Sequence, residues 1–151
     1  YNGTLDKIIG DELMIVYGAP ISAKDDTQRA VATAVEMQKQ ITRLNKERTK
    51  RKDVPISAGI GINRGVVVSG NIGSRDMMDY TVIGDTVNLG ARLCSAAGPG
   101  EILVSSTVWK ETQKHHSYKK LEPIKVKGKK NKVGVYRIEY DGWGRTTTKL
   151  T

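Results

Sequence analysis

The chain has 151 residues, 38% of them apolar, enough for one domain with a real core. No apolar run approaches the ~18 residues of a membrane-spanning helix, and a single cysteine, Cys94, excludes an internal disulfide framework and fits a reducing compartment. The 25 basic and 16 acidic side chains leave a net charge of +9, which predicts an anionic partner (nucleic acid, anionic lipid or nucleoside triphosphate) without choosing among them.

Thr4 to Ile9 and Leu13 to Tyr17 are β-prone runs joined at Gly10-Asp11, the signature of a tight hairpin. Gly18-Ala-Pro20 ends the second run. Asp25 or Asp26 caps a long helix, in which Ala30, Val31, Ala34, Met37, Ile41 and Leu44 recur at helical spacing. The basic run Arg43 to Lys52 covers the solvated end of that helix. Pro55 precedes a strand, Ile56 to Ile62, and Asn63-Arg-Gly65 leads into another, Val66 to Ile72. Gly70 to Asp79 reads as a projecting loop whose Met77 and Met78 suit dimer packing or disorder rather than chemistry. Tyr80 to Ile83 is a brief strand, and Gly84-Asp85 opens a helix that Gly98-Pro-Gly100 stops after about Ala97. Thr86 reads as a cap of that helix. Ile102 to Val104 is a strand, Ser105 or Ser106 caps a short helix to about Lys114, and strands near Tyr118 to Ile124 and Val133 to Glu139 close the domain. This order predicts an α+β sandwich around a mainly antiparallel sheet, spanning residues 1–140, with 141–151 as a disordered tail. His115 and His116 have no partners at ligand spacing and read as surface residues.

Three segments carry a specific pattern: Lys7-Ile-Ile-Gly-Asp11, Tyr80-Thr-Val-Ile-Gly-Asp-Thr-Val-Asn-Leu-Gly-Ala-Arg92 and Val126-Lys-Gly-Lys129. Together with Gly59-Ile-Gly-Ile-Asn-Arg-Gly65 and Gly70-Asn-Ile-Gly-Ser74, they resemble the class III adenylate and guanylate cyclase catalytic domain from about Tyr1 to Glu139. The resemblance implies a ferredoxin-like βαββαβ core with added C-terminal strands and helices. It also implies conversion of a nucleoside triphosphate to a cyclic nucleotide and pyrophosphate. That reaction is an attack of the 3′ hydroxyl on the α-phosphate, in which positioning and charge stabilisation do most of the work.

The resemblance distributes roles along the chain. Asp11 becomes a ligand for two Mg²⁺ or Mn²⁺ ions, hard cations that want oxygen donors. Asn88 orients the ribose and Arg92 meets the developing phosphate charge with a planar guanidinium; four residues apart, they share one helix face. Lys127, supported by Lys129, holds the triphosphate. Lys7 and Thr81 read the base: an ammonium can donate to adenine N1 and a hydroxyl can accept from the exocyclic amine. Guanine reverses both groups, so the pair favours ATP and cyclic AMP, and it resembles the bacterial subgroup. Because the family builds its sites between two domains and this chain carries both sets of residues, a homodimer with two equivalent sites is implied.

One departure accompanies the match. The family places a second metal aspartate on a strand before the region corresponding to Tyr1. The chain is therefore expected to be an N-terminally incomplete domain, inactive by itself, with Leu5, Ile9 and Leu13 or Met14 lacking cover and swapped or non-native self-association open to it. The complete domain is expected in the cytoplasm, with membrane attachment of the parent left open. Two other readings compete: a non-catalytic cyclase-homology module, and a basic nucleic-acid-binding module. With 5% aromatic residues and no Phe, the chain offers few stacking platforms, and no nucleic-acid partner is expected.

Overall fold

The computed structural model describes residues 1–74, 77–125 and 132–141. Two β-prone runs meet first, β1 (Thr4–Ile9) and β2 (Glu12–Val16), as an antiparallel hairpin turning at Gly10 and Asp11. Gly10 has φ +62°, the left-handed geometry a two-residue turn needs and glycine supplies without steric cost. The long helix α1 (Asp26–Lys50) follows. Asp25 occupies its N-cap but makes no side-chain capping bond. Asp26 instead reaches back, accepting from the Ala23 amide at 2.8 Å and pairing with Arg29. Arg48 and Lys50 close the last turn, where their charge complements the helix dipole.

Beyond α1 the elements are β3 (Ile60–Ile62), β4 (Val68–Ser74), β5 (Met77–Ile83), α2 (Asp85–Ala96), β6 (Ile102–Ser105), α3 (Ser106–Thr112), β7 (Ser117–Lys120) and β8 (Val135–Glu139). The α+β class holds. Among the described residues the strands form a four-stranded sheet, β3-β6-β8-β7, and two hairpins, β1-β2 and β4-β5. Only the β3–β6 pair is parallel, and the connection between them runs through the β4–β5 hairpin and α2, which packs back on both strands.

Strand β6 organises the core. All four of its residues are buried, and successive side chains point to opposite faces. Ile102 and Val104 join Val31 and Ala34 of α1, Val108 of α3 and Ile138 of β8. Leu103 joins Leu89 and Leu93 of α2 and Val135 of β8. Helical layers therefore cover both faces of this strand.

Several boundaries differ from the sequence reading. In place of the projecting loop expected from Gly70 to Asp79, β4 and β5 pair antiparallel, with Met77 and Met78 on β5 opposite Ser74 and Gly73. Strand β3 is shorter than expected because the segment before it is tied down differently. Asn45 donates to Ile56 O at 2.7 Å and accepts from Ile56 N at 2.9 Å, and Gln38 donates to Ala58 O at 2.8 Å. The expected tail lies outside the described residues, apart from Asp141. Apolar side chains on both hairpins are open: Leu5, Ile8, Ile9 and Leu13 on the first, Val68, Tyr80 and Ile83 on the second. No helix among the described residues is long and apolar enough to cross a membrane.

Candidate active site

The β1–β2 ladder carries an irregularity where the site begins. Leu5 pairs with Ile15 and Lys7 with Met14, leaving Asp6 without a cross-strand partner. A bulge of this kind breaks the alternation of side chains along a strand and re-aims them. Asp6 Oδ2 lies 3.6 Å from Lys7 Nζ and accepts a hydrogen bond of 2.8 Å from Thr81 Oγ1 on β5. The Asp6 side chain is only 7% exposed and Thr81 6%, while Lys7 keeps 39% of its side chain in contact with solvent. Lys7 and Thr81, far apart in sequence, thus meet at one carboxylate. Asp6 had no role in the sequence reading; an acidic side chain inside a β-prone run, next to Lys7, was the only signal.

Asp11 stands at the exposed tip of the same hairpin. Glu12 beside it enters the ladder opposite Ile9. Among the described residues no group of three or more His, Cys, Asp or Glu converges as a metal site. A pair of divalent ions demands several hard oxygen ligands, and Asp11 alone does not fit that demand.

Asn88 and Arg92 share a face of α2, Asn88 exposed and Arg92 half-buried. Two glycines seat this helix. Gly84, with φ +136°, turns β5 directly into it as the N-cap. Gly61 of β3 lies so close that a Cβ there would fall 2.6 Å from Gly90 O and 2.7 Å from Leu93 C, and nearer still to Cys94 N. Thr86 does not cap the helix: its hydroxyl donates to Val66 O at 2.6 Å, while Asn63 Nδ2 donates to Thr86 O at 2.8 Å. The helix start is held by these cross-links to the β3–β4 connection. Lys127 and Lys129 lie outside the described residues.

An open cavity of about 580 Å³ adjoins the α2 N-terminus, lined by Asn63, Arg64, Asp85, Thr86, Ser105 and Lys132 among others. None of Lys7, Asp11, Thr81, Asn88 and Arg92 faces it. Arg64 is already engaged by Glu111 and Thr27, which ties α1 to α3. On α2, burial and the Glu12 carboxylate push the Cys94 thiol pKa up, against a smaller opposite effect of a backbone hydrogen bond. Burial and the neighbouring His115 lower His116.

The bulged hairpin with Asp11 at its tip is joined through Asp6 and Thr81 to the strand–helix unit that bears Asn88 and Arg92. The family profile "Adenylate and Guanylate cyclase catalytic domain" matches residues 6–140. An adenylate cyclase of Anabaena cylindrica is 33% identical over 146 residues, covering 91% of this chain and 28% of its own length. Among solved structures, the adenylyl cyclase CyaB from P. aeruginosa superposes with a TM-score of 0.85 at 34% identity, over 91% of this chain and 72% of that one. The guanylyl cyclase Cya2 does so with 0.80 at 35%, over 94% and 73%. The chain belongs to the adenylate and guanylate cyclase catalytic-domain family, and it spans little more than a quarter of the Anabaena relative.

Proposed function

We propose that the chain is the catalytic domain of an adenylate cyclase, converting ATP to 3′,5′-cyclic AMP and pyrophosphate in cyclic-nucleotide signalling. The observation that carries this reading is the meeting of Lys7 and Thr81 at Asp6, at 3.6 and 2.8 Å. The pair offers adenine a donor for N1 and an acceptor for the amine. Likeness to an adenylyl and a guanylyl cyclase is almost equal, so base choice rests on these side chains. Asn88 positions the ribose. Arg92 stabilises charge on the α-phosphate as the 3′ hydroxyl attacks and pyrophosphate leaves. Lys127 and Lys129 bind the triphosphate, and the net charge of +9 favours such a ligand.

Asp11 and the Asn88–Arg92 face complement each other across two copies, giving a homodimer with two equivalent sites in the cytoplasm. Divalent Mg²⁺ or Mn²⁺ would neutralise the phosphates, with Asp11 as one of the several oxygen ligands such ions require. By themselves the 151 residues then turn over little ATP. The lone carboxylate also favours a second reading, a cyclase-homology module that binds nucleotide without converting it.

The deciding experiment is turnover by the full-length protein, with Mg²⁺ or Mn²⁺, of ATP and GTP in parallel. Cyclic AMP formation with GTP largely untouched is expected. Comparable turnover of both nucleotides removes the base-reading role of Lys7 and Thr81, and nucleotide binding without turnover selects the second reading.

A further inference from the structure

We infer that Asp6 is a specificity-determining positioning residue: it fixes the Thr81 hydroxyl as an acceptor and tethers the Lys7 ammonium beside it. The inference rests on the reading of Lys7 and Thr81 as base readers, and it supplies the reason a threonine there distinguishes two purines.

A threonine hydroxyl has one proton and two lone pairs, and it rotates to suit its partner. Left to itself it could accept from the amine of adenine or donate to O6 of guanine. Asp6 removes that freedom. Its carboxylate has no proton to give, and at 2.8 Å it takes the only one Thr81 has. Any further partner of Thr81 must then be a donor. The same Oδ2 lies 3.6 Å from the Lys7 ammonium, which has donors only. An acceptor and a donor are thereby presented side by side, complementary to the amine and N1 of adenine and mismatched to O6 and N1–H of a 6-oxopurine.

Local backbone makes the arrangement available. In a regular strand Asp6 and Lys7 would project to opposite faces, and one carboxylate could not serve both partners. The missing cross-strand partner at Asp6 breaks that alternation. With the Asp6 side chain 7% exposed and Thr81 6%, water competes little for the bond, and a mispaired group in such a place costs far more than in solvent.

The test compares ATP with inosine triphosphate, which differs at the 6-position and N1 and lacks the 2-amine that complicates GTP. In the full-length protein, Asp6→Asn presents Thr81 with either an oxygen or an amide and no longer fixes its polarity. The ratio of kcat/KM for ATP over inosine triphosphate is expected to fall about ten-fold, the worth of one hydrogen bond. Adding Asp6→Asn to a Thr81→Val background should lower the ratio much less than in the parent, since only the Lys7 tether is then left to lose. Equal loss for both nucleotides in Asp6→Asn would make Asp6 a structural residue and overturn the inference. If Thr81→Val alone leaves the ratio intact, the base-reading assignment itself fails. A measurement on the unmodified protein guards against a variant that does not fold: the Thr81 hydroxyl proton should exchange slowly with water in NMR spectra, with a coupling to the Asp6 carboxylate. A rapidly exchanging hydroxyl would overturn the proposal.

Discussion

Gly61→Ala tests how the α2 seat links the fold to the chemistry. A methyl group at this position would lie 2.6 Å from Gly90 O and 2.7 Å from Leu93 C, both backbone atoms of α2. Ordinary contact needs about 3.5 Å, and Cys94 N lies nearer still, so the helix must retreat from β3 by more than about 1 Å. No flexible side chain can absorb the strain. Overpacking of this kind costs about 1–3 kcal/mol, and the lower entropy of an unfolded alanine offsets about 0.5 kcal/mol. A net loss of about 1.5 kcal/mol corresponds to a fall in Tm of roughly 3–6 °C for a domain of this size. Because α2 carries Asn88 and Arg92, the same displacement should lower kcat about a hundred-fold. The assay pairs urea unfolding with cyclase activity in the full-length protein. Gly70→Ala, with nothing within 4 Å of the added Cβ, is the control and should change neither. A Gly61→Ala protein with unchanged midpoint and unchanged activity would refute the close seating of α2 on β3.

Three further outcomes are expected. Asp11→Ala and Arg92→Ala should each lose about a hundred-fold or more in activity as homodimers, yet their mixture should recover one intact site per heterodimer; heterodimers without recovery would refute a site shared between copies. Asn45→Leu removes both bonds to Ile56; because Ile56 is partly reached by water, the loss should be about 1–2 kcal/mol in urea unfolding, and a stability equal to the parent's would show that these bonds hold nothing. With its thiol pKa raised by burial, Cys94 should react with iodoacetamide more slowly than a free thiol at neutral pH, and its rate should keep rising above pH ~9, where an unperturbed thiol approaches its plateau. A rate equal to that of a free thiol would contradict the burial.

What the sequence could reveal depended on whether the determining contact was local. The first hairpin was legible because Gly10 and Asp11 carry the turn chemistry themselves, and α1 because its apolar spacing is internal to it. The β4–β5 hairpin was not, since a run with Gly70, Asn71 and Gly73 has no alternation to betray an exposed two-stranded ladder. Strand β3 was overextended because the competitors for its backbone, Gln38 and Asn45, lie on α1. Thr86 resembled a cap by position, but its partner, Val66 O, comes from the preceding connection. At the site, the motif resemblance pointed to Lys7, Thr81, Asn88 and Arg92. Asp6 escaped notice because its part depends on a bulge and on a strand far along the chain.

The separation of β1–β2 from the four-stranded sheet has a kinetic consequence. An isolated two-stranded ribbon is marginally stable, and the residues proposed to read the base and hold the metal sit on one whose apolar side chains Leu5, Ile8, Ile9 and Leu13 are open. Its amides should exchange with deuterium through cheap local opening, whereas those of β6, buried on both faces, should exchange only when the whole domain unfolds. The rigid half of the molecule and the half proposed to handle substrate are therefore distinct in time as well as in space. If a second copy closes over the hairpin, as proposed, it would set how often the site is assembled, and turnover should answer to partner concentration by mass action.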